Sequence, residues 1–119
     1  YMKRFRELLK PDGVLIIAVP NYTSKDAKIY GEYWAAYDVP RHLWHFSRIA
    51  IEALFSKQNL KVVDTLPMVF DAFYVSLLSE EYKTGRLKYL KAFWVGSVSN
   101  IRGWLTKEYS SIIYILQKK

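Results

Sequence analysis

Cysteine is missing from the sequence of 119 residues. Without it the chain has no disulfide bond, no thiolate ligand for a metal and no cysteine nucleophile. The lack of cysteine leaves the redox compartment open, although it mildly favours a reducing one. We therefore expect a cytoplasmic protein, with peripheral attachment to a membrane as a second location.

Long hydrophobic runs are also missing. The longest continuous apolar run, VLIIAVP at residues 14–20, has seven residues. A helix that crosses a membrane needs about 20 apolar residues. The first residues, YMKR, lack the apolar centre of a signal peptide. The sequence thus predicts neither a spanning helix nor a signal peptide.

Acidic residues are absent from residues 83–107, which contain six basic ones: Lys83, Arg86, Lys88, Lys91, Arg102 and Lys107. This segment holds nearly all of the formal net charge of +7. A basic segment can attract anionic lipid, an acidic substrate or nucleic acid, although it is more often a solvated face. Nucleic acid is the weakest of these partners, because the segment lacks the motif of any common reader.

The residues that are present suffice for one domain with a hydrophobic core, since 51% are hydrophobic and 17% aromatic. The apolar spacing in residues 1–10 predicts the end of a helix, which Pro11 stops. The continuous run at 14–19 predicts a strand buried on both faces. Residues 60–66 and 111–116 predict two further strands.

The sequence predicts helices in two stretches between the predicted strands. Ser47 suits the N-cap of a helix that runs to about Gln58 and ends at Asn59 in left-handed geometry. We expect its inner face to consist of Ile51, Leu54 and Phe55, with Ile49 alongside. Residues 67–109 predict two or three helices. An apolar stripe recurs there at helical spacing, and Gly96 or Gly103 is a plausible break. The stripe consists of Leu87, Leu90, Trp94, Val98, Ile101 and Leu105.

Four short motifs follow one another at characteristic spacing. They are LKPDG at 9–13, PN at 20–21, DVPRHLWHFS at 38–47 and NLKV at 59–62. Together they resemble the C-terminal half of a class I S-adenosylmethionine-dependent methyltransferase. The nearest branch is that of ubiquinone biosynthesis and similar small-molecule methyltransferases. Asp12 and Asn59 stand where this branch usually has glycine, and both residue types tolerate turn geometry.

The resemblance implies an α/β fold, with residues 1–119 as a single partial domain. Residues 14–19, 60–66 and 111–116 would be strands five, six and seven of a Rossmann-like sheet, the last one antiparallel. Residues 67–109 would be a helical insertion between the last two strands.

Cofactor binding in that family uses a glycine-rich loop after the first strand and an acidic residue after the second. No Gly-x-Gly occurs in this sequence. The resemblance implies that the full-length protein uses S-adenosylmethionine. It also implies that these residues alone bind no cofactor and are inactive without an N-terminal cofactor-binding half as partner.

The candidate site residues cluster around the third motif. Histidine suits a general base near neutral pH, and we take His42 as the catalytic candidate. A small-molecule acceptor would contact Asn21, Tyr22, Trp34, Tyr37 and His45. The spacing His-x-x-His alone is weak support for zinc, so no metal site is predicted. The alternative for each residue is a purely structural role in shaping the loop.

Two rival functions stay open. The chain could be an inactive fragment that forms a homodimer through an exposed strand or helix face. It could also be a basic domain that binds a membrane surface through an amphipathic helix in 83–107. Alternatively, the helix in 83–107 binds no membrane or anionic substrate, and its apolar stripe covers the sheet and the mouth of the active site.

Overall fold

The computed structural model describes residues 1–38 and 40–119; Val39, part of the third motif, lies outside the described residues. These described residues form three strands and five α-helices. In chain order they are α1 (Met2–Leu8), β1 (Leu15–Pro20), α2 (Lys25–Tyr30), α3 (Arg48–Ser56), β2 (Leu60–Pro67), α4 (Asp71–Thr84), α5 (Tyr89–Thr106) and β3 (Ser111–Lys118). Two single turns of 3₁₀-helix, Gly31–Tyr33 and Ala35–Tyr37, follow α2.

The three strands form one sheet in the order β1-β3-β2. The last strand in the chain lies in the middle and is antiparallel to both neighbours, pairing Ile17 with Tyr114 and Thr65 with Tyr114 in register. An irregularity between Val62 and Asp64 interrupts the pairing of β2. The α/β class and the antiparallel final strand are as the sequence predicts.

The residues that the sequence predicts at the two ends of α3 are found there in the structure. Ser47 caps α3 by accepting a hydrogen bond from the backbone N–H of Ala50 at 3.2 Å. Asn59 follows α3 with φ of 56°, the left-handed conformation that reverses the chain into β2. The inner face of α3 contains buried Ile51 and Phe55, but Ile49 is exposed, which corrects its predicted place beside that face.

Two hydrophobic clusters lie on different parts of the chain. One joins α3 and α1 to one face of the sheet and includes Phe55, Leu60 and Tyr114. The other joins α2 and the 3₁₀ turns to the hairpin of α4 and α5, and includes Trp34 and Val95. The helical segment between β2 and β3 is therefore packed mainly on the loop that follows β1.

Strand β1 is covered on one face only, contrary to the prediction that both are buried. Leu15, Ile17 and Val19 pack into the α3 cluster, whereas Ile16 is 65% exposed. Within the described residues β1 also pairs on one side only, with β3. Its apolar outer face and its free edge together form an uncovered sheet margin.

Helix α5 buries small side chains and exposes large ones, which contradicts the interpretation that its apolar stripe covers the sheet. The buried positions are Ala92, Val95, Gly96, Ser99 and Gly103. Of the predicted stripe, only Val98 is half-buried, and Leu87, Leu90, Trp94, Ile101 and Leu105 are exposed.

The helix also continues without a break through both glycines, contrary to the break that was predicted. The reason is close packing. A Cβ on Gly96 would lie 2.5 Å from Cδ1 of Phe73 on α4, and one on Gly103 would lie 2.5 Å from Cδ1 of Tyr109. A side chain of ordinary size at either position would push α5 away from its neighbours.

A buried polar cluster ties the two helices of the hairpin to α2. The Glu80 carboxylate accepts a hydrogen bond from the Tyr30 hydroxyl at 2.9 Å, and Lys91 Nζ lies 3.4 Å from the same oxygen. Burial, and then the hydrogen bond to Glu80, raise the pKa of Tyr30 well above its ordinary value. The phenol thus stays protonated and serves as a donor.

Candidate functional site

An apolar cavity of about 210 Å³ lies at the carboxyl end of β1. Ligands of open α/β sheets bind at this end of the strands. The cavity is formed by the end of the strand, the residues after it and the DVPRHLWHFS motif. Its walls are Ala18, Val19, Pro20, Tyr22, Trp34, Ala36, His42, Trp44, His45 and Phe46. Four of the six predicted site residues, Tyr22, Trp34, His42 and His45, therefore line one cavity.

Asn21 lies behind the cavity rather than in its wall. Its side chain is buried, and its amide donates to Glu108 Oε2 at 2.7 Å and to the carbonyl of Tyr109 at 3.0 Å. The amide oxygen accepts from the hydroxyl and the backbone N–H of Thr23. Asn21 thus joins the end of β1 to the start of β3, and its contact with a substrate stays a prediction.

Trp34 is held in the wall by a buried carboxylate. Its indole N–H donates to Asp26 Oδ2 at 2.7 Å, and the Ser110 hydroxyl donates to the same oxygen at 2.7 Å. The Ser99 hydroxyl of α5 donates to Asp26 Oδ1 at 2.6 Å. Asp26 was not among the predicted site residues, because a carboxylate near a helix N-terminus is usually exposed.

Tyr37 links the two sides of the cavity without lining it. Its ring meets Trp34 edge-on at a centroid distance of 5.1 Å and His45 edge-on at 4.8 Å. Such edge contacts are favourable for aromatic rings. Tyr37 therefore positions His45 relative to Trp34, and its predicted contact with a substrate stays a prediction.

His42 lies at the mouth of the cavity, with 52% of its side chain exposed. Its Nδ1 is 3.9 Å from Oδ2 of Asp38, and its backbone N–H donates to the Asp38 carbonyl at 2.9 Å. Asp38 has φ of 42° and forms an ion pair with Arg41, Nη2 to Oδ1 being 2.7 Å. This ion pair between Asp38 and Arg41 lies in the segment that presents His42.

Sequence reasoning missed part of the wall. Trp44 and Phe46 alternate with the histidines, and Phe46 forms a parallel bridge with Asn21 that places the motif beside β1. The alternation of aromatic residues and histidines in the motif was the available signal. Within the part of the chain that the structure describes, no group of three or more His, Cys, Asp or Glu could hold a metal ion.

Comparison with known proteins finds a match for the part of the chain that contains the four motifs. A scan against protein families matches residues 1–65, which contain all four motifs, to a family described as a methyltransferase domain. The chain belongs to this methyltransferase family. Methyltransferases of such families use S-adenosylmethionine in general. A search of curated proteins found no match.

Two solved structures are similar to this methyltransferase domain, and the first of them shows the same fold. The cyclopropane synthase MmaA2 from Mycobacterium tuberculosis is similar over 98% of this chain and 48% of its own, with a TM-score of 0.50 and 14% identity. YjhP from E. coli matches over 93% of this chain and 52% of its own, with a TM-score of 0.43 and 13% identity. The chain spans about half the length of these proteins.

The cavity of this methyltransferase domain does not fit the whole cofactor. S-adenosylmethionine needs a carboxylate for its ribose hydroxyls and a close backbone approach at a glycine. No carboxylate and no glycine line the cavity among the described residues. Its walls are apolar and aromatic, with histidine at the mouth, and such walls suit an apolar or aromatic ligand.

Proposed function

We propose that this chain is the C-terminal part of an S-adenosylmethionine-dependent methyltransferase of a small molecule. In this proposal it belongs to the ubiquinone-biosynthesis-like branch and forms the acceptor side of the active site. The observation that carries the proposal is the cavity that the DVPRHLWHFS motif closes at the carboxyl end of β1.

The sheet supports the same proposal. The order β1-β3-β2, with an antiparallel central strand, fits strands five, seven and six of the family sheet. The free edge of β1 and its exposed Ile16 fit a position next to further strands of an N-terminal half. On this proposal the helices α4 and α5 form an insertion between the last two strands.

In this proposal His42 removes a proton from the acceptor. Its position at the mouth lets it meet a hydroxyl of a molecule whose apolar part lies between Tyr22 and Trp34. Asp38, 3.9 Å from Nδ1, stabilises the imidazolium that results. The aromatic walls orient the acceptor and exclude water, so that positioning supplies much of the acceleration.

The cofactor question is tested by calorimetric titration with S-adenosylmethionine. We expect no heat of binding with residues 1–119 alone and clear binding with a protein extended upstream by an N-terminal half. Binding by residues 1–119 alone would contradict the assignment of the cofactor to the other half. An extended protein that fails to bind S-adenosylmethionine would refute the proposed function itself.

The role of His42 is tested in the extended protein with tritiated S-adenosylmethionine and a small-molecule extract as acceptor. We expect His42→Asn to lower kcat by about 10²-fold or more, since a positioned general base contributes 10²–10⁴-fold. His45→Asn should affect KM more than kcat. An unchanged kcat in His42→Asn would assign the proton transfer to another group.

A second candidate function rests on the uncovered margin of β1. Free edges and apolar sheet faces pair readily with another copy. The chain would then be an inactive, self-associating module. Sedimentation equilibrium distinguishes the two candidates, because a strict monomer excludes the self-associating module.

A further inference from the structure

The outward face of α5 is mostly apolar, with Ser97 as a small polar residue near its middle. Its large side chains, Leu90, Phe93, Trp94, Ile101, Trp104 and Leu105, lie on one side of the helix and are between 59% and 90% exposed. The neighbouring surface of α4 adds Tyr74 and Tyr82, which are also exposed. We call the six α5 residues the α5 apolar face.

Of these six residues, Phe93 contributes to the hairpin by stacking on Phe73 of α4 at 5.4 Å, and the other five remain largely exposed. Contact between α4 and α5 uses the small side of α5, where Gly96 meets Phe73 and Ala92 and Val95 are buried. A large apolar patch of this kind on an ordinary surface marks an interaction site. The α5 apolar face therefore requires an explanation other than core packing.

The charges around the face identify its partner. The tip of the hairpin contains Lys83, Arg86 and Lys88, and the helix begins immediately after it. Arg102 borders the face, and Lys107 follows its end. No acidic residue occurs between 83 and 107, so every charged side chain of this segment is basic. Lys91 is less available, because it is paired with Glu80 at 3.4 Å.

A helix with this composition suits the interface of a bilayer. Leu, Ile and Phe can enter the acyl boundary, and Trp prefers the level of the headgroups. Lysine and arginine at the border attract anionic headgroups. Among the described residues no helix is long and apolar enough to cross a membrane. A helix lying in the plane of the interface needs no such length.

The geometry points to the α5 apolar face and its basic border as a docking surface for a membrane that contains anionic lipid. This inference is independent of the proposed methyltransferase activity, because it rests on residues outside the cavity. It also places the cavity near the bilayer, since Trp34 of the cavity wall shares a hydrophobic cluster with Val95 on the inner side of α5.

The test is co-sedimentation of residues 1–119 with vesicles of phosphatidylcholine, alone or mixed with phosphatidylglycerol. We expect binding to the mixed vesicles, weak binding to the neutral ones, and a loss of binding at high salt. Tryptophan emission should shift to the blue on binding. Equal binding to both kinds of vesicle would contradict the role of the basic border.

Matched variants test whether vesicle binding depends on the α5 apolar face or on any exposed apolar side chain. Ile101→Ser removes an isoleucine of the face that is 59% exposed, and Ile49→Ser removes an isoleucine of α3 that is 80% exposed. We expect Ile101→Ser with Trp104→Ser to weaken binding more than tenfold and Ile49→Ser to leave it unchanged. The double variant Arg86→Gln with Lys88→Gln should weaken binding to anionic vesicles roughly 20- to 30-fold. The control pair Lys10→Gln with Lys57→Gln should not.

Two results would overturn the inference. The first is vesicle binding that the Ile49 and Ile101 variants weaken equally, which would show that α5 is not the docking surface. The second is an absence of binding to the mixed vesicles. It can be accompanied by a dimer that Ile101→Ser with Trp104→Ser dissociates. In that case the face would be an interface between copies of the chain. Circular dichroism confirms that each variant is folded.

Discussion

At the scale of single residues, Asp26 connects parts of the chain that are distant in sequence. Its two carboxylate oxygens accept hydrogen bonds from Trp34 after α2, Ser99 on α5 and Ser110 before β3. The side chain is fully buried. A buried carboxylate is tolerated when several donors compensate its lost hydration. Asp26 therefore fixes Trp34, and with it one wall of the cavity.

Replacement of Asp26 by alanine is expected to destabilise the fold strongly. The change leaves three buried donors without an acceptor, and we expect a loss of about 3–5 kcal/mol in the free energy of unfolding. Urea unfolding followed by circular dichroism measures it. The exposed Asp12→Ala serves as control and should change stability by no more than about 0.5 kcal/mol. A similar small effect for Asp26→Ala would argue against the network.

Tyr114 predicts how stability depends on alkaline pH. Burial, as the largest cause, raises the pKa of Tyr114 to about 12. Because the ordinary value is near 10, the unfolded chain loses this proton before the folded one does. The stabilising contribution is thus complete below about pH 10 and is lost as pH rises towards 12.

Replacement of Tyr114 by phenylalanine removes that dependence. Between about pH 9 and pH 11 the wild type should lose about 1.4 kcal/mol more of its unfolding free energy than Tyr114→Phe. Other tyrosines and lysines titrate in both proteins and cancel in the difference. Parallel stability curves for the two proteins would contradict burial of this phenol.

At the scale of elements, α5 shows why a correct helix assignment can give the wrong face. The apolar spacing predicts a helix over this region, and the helix is present from Tyr89 to Thr106. The same spacing was taken to mark the buried side, but close packing on Phe73 and Tyr109 selects the glycine side instead. Periodicity reports that one face is apolar, and only the neighbours decide which face is covered.

Gly96→Ala tests that packing. Alanine would favour an isolated helix by about 1 kcal/mol. Its methyl group, however, would meet the ring of Phe73, which is stacked on Phe93 at 5.4 Å. We expect the free energy of unfolding, measured with heat or urea, to fall by about 1–3 kcal/mol. Combination with Phe73→Leu should recover part of it, and Ser97→Ala on the outer side should be nearly neutral. A stabilising Gly96→Ala would show that the helices are not in close contact.

At the scale of the whole molecule, the sheet of the described residues has one protected central strand, β3, and two edge strands, β1 and β2. Strand β3 is hydrogen-bonded on both sides, whereas β1 is bonded only to β3 within the described residues. An open edge is a surface on which further strands can add. The fold is thus unevenly stable, with its most protected backbone in the strand that comes last in the chain.

Hydrogen exchange measured by NMR tests this asymmetry. We expect slow exchange along β3 and alternate fast and slow amides along β1, because every second N–H of β1 points away from β3. Uniform protection of β1 would mean that its edge is covered in solution. Repetition of the measurement at lower protein concentration would then reveal whether a second copy covers it.

The sequence by itself determined the local structure and the family. Pro11, Ser47 and Asn59 act on the backbone near their own positions, and the motifs are contiguous, so both could be predicted without coordinates. The cavity was predicted in part, because its residues follow β1 or lie within one motif. The tertiary structure alone decided which faces of β1 and α5 are covered, that Asp26 holds Trp34, and that Asn21 lies behind the wall. These features depend on contacts between residues distant in sequence, whose partners no local pattern specifies.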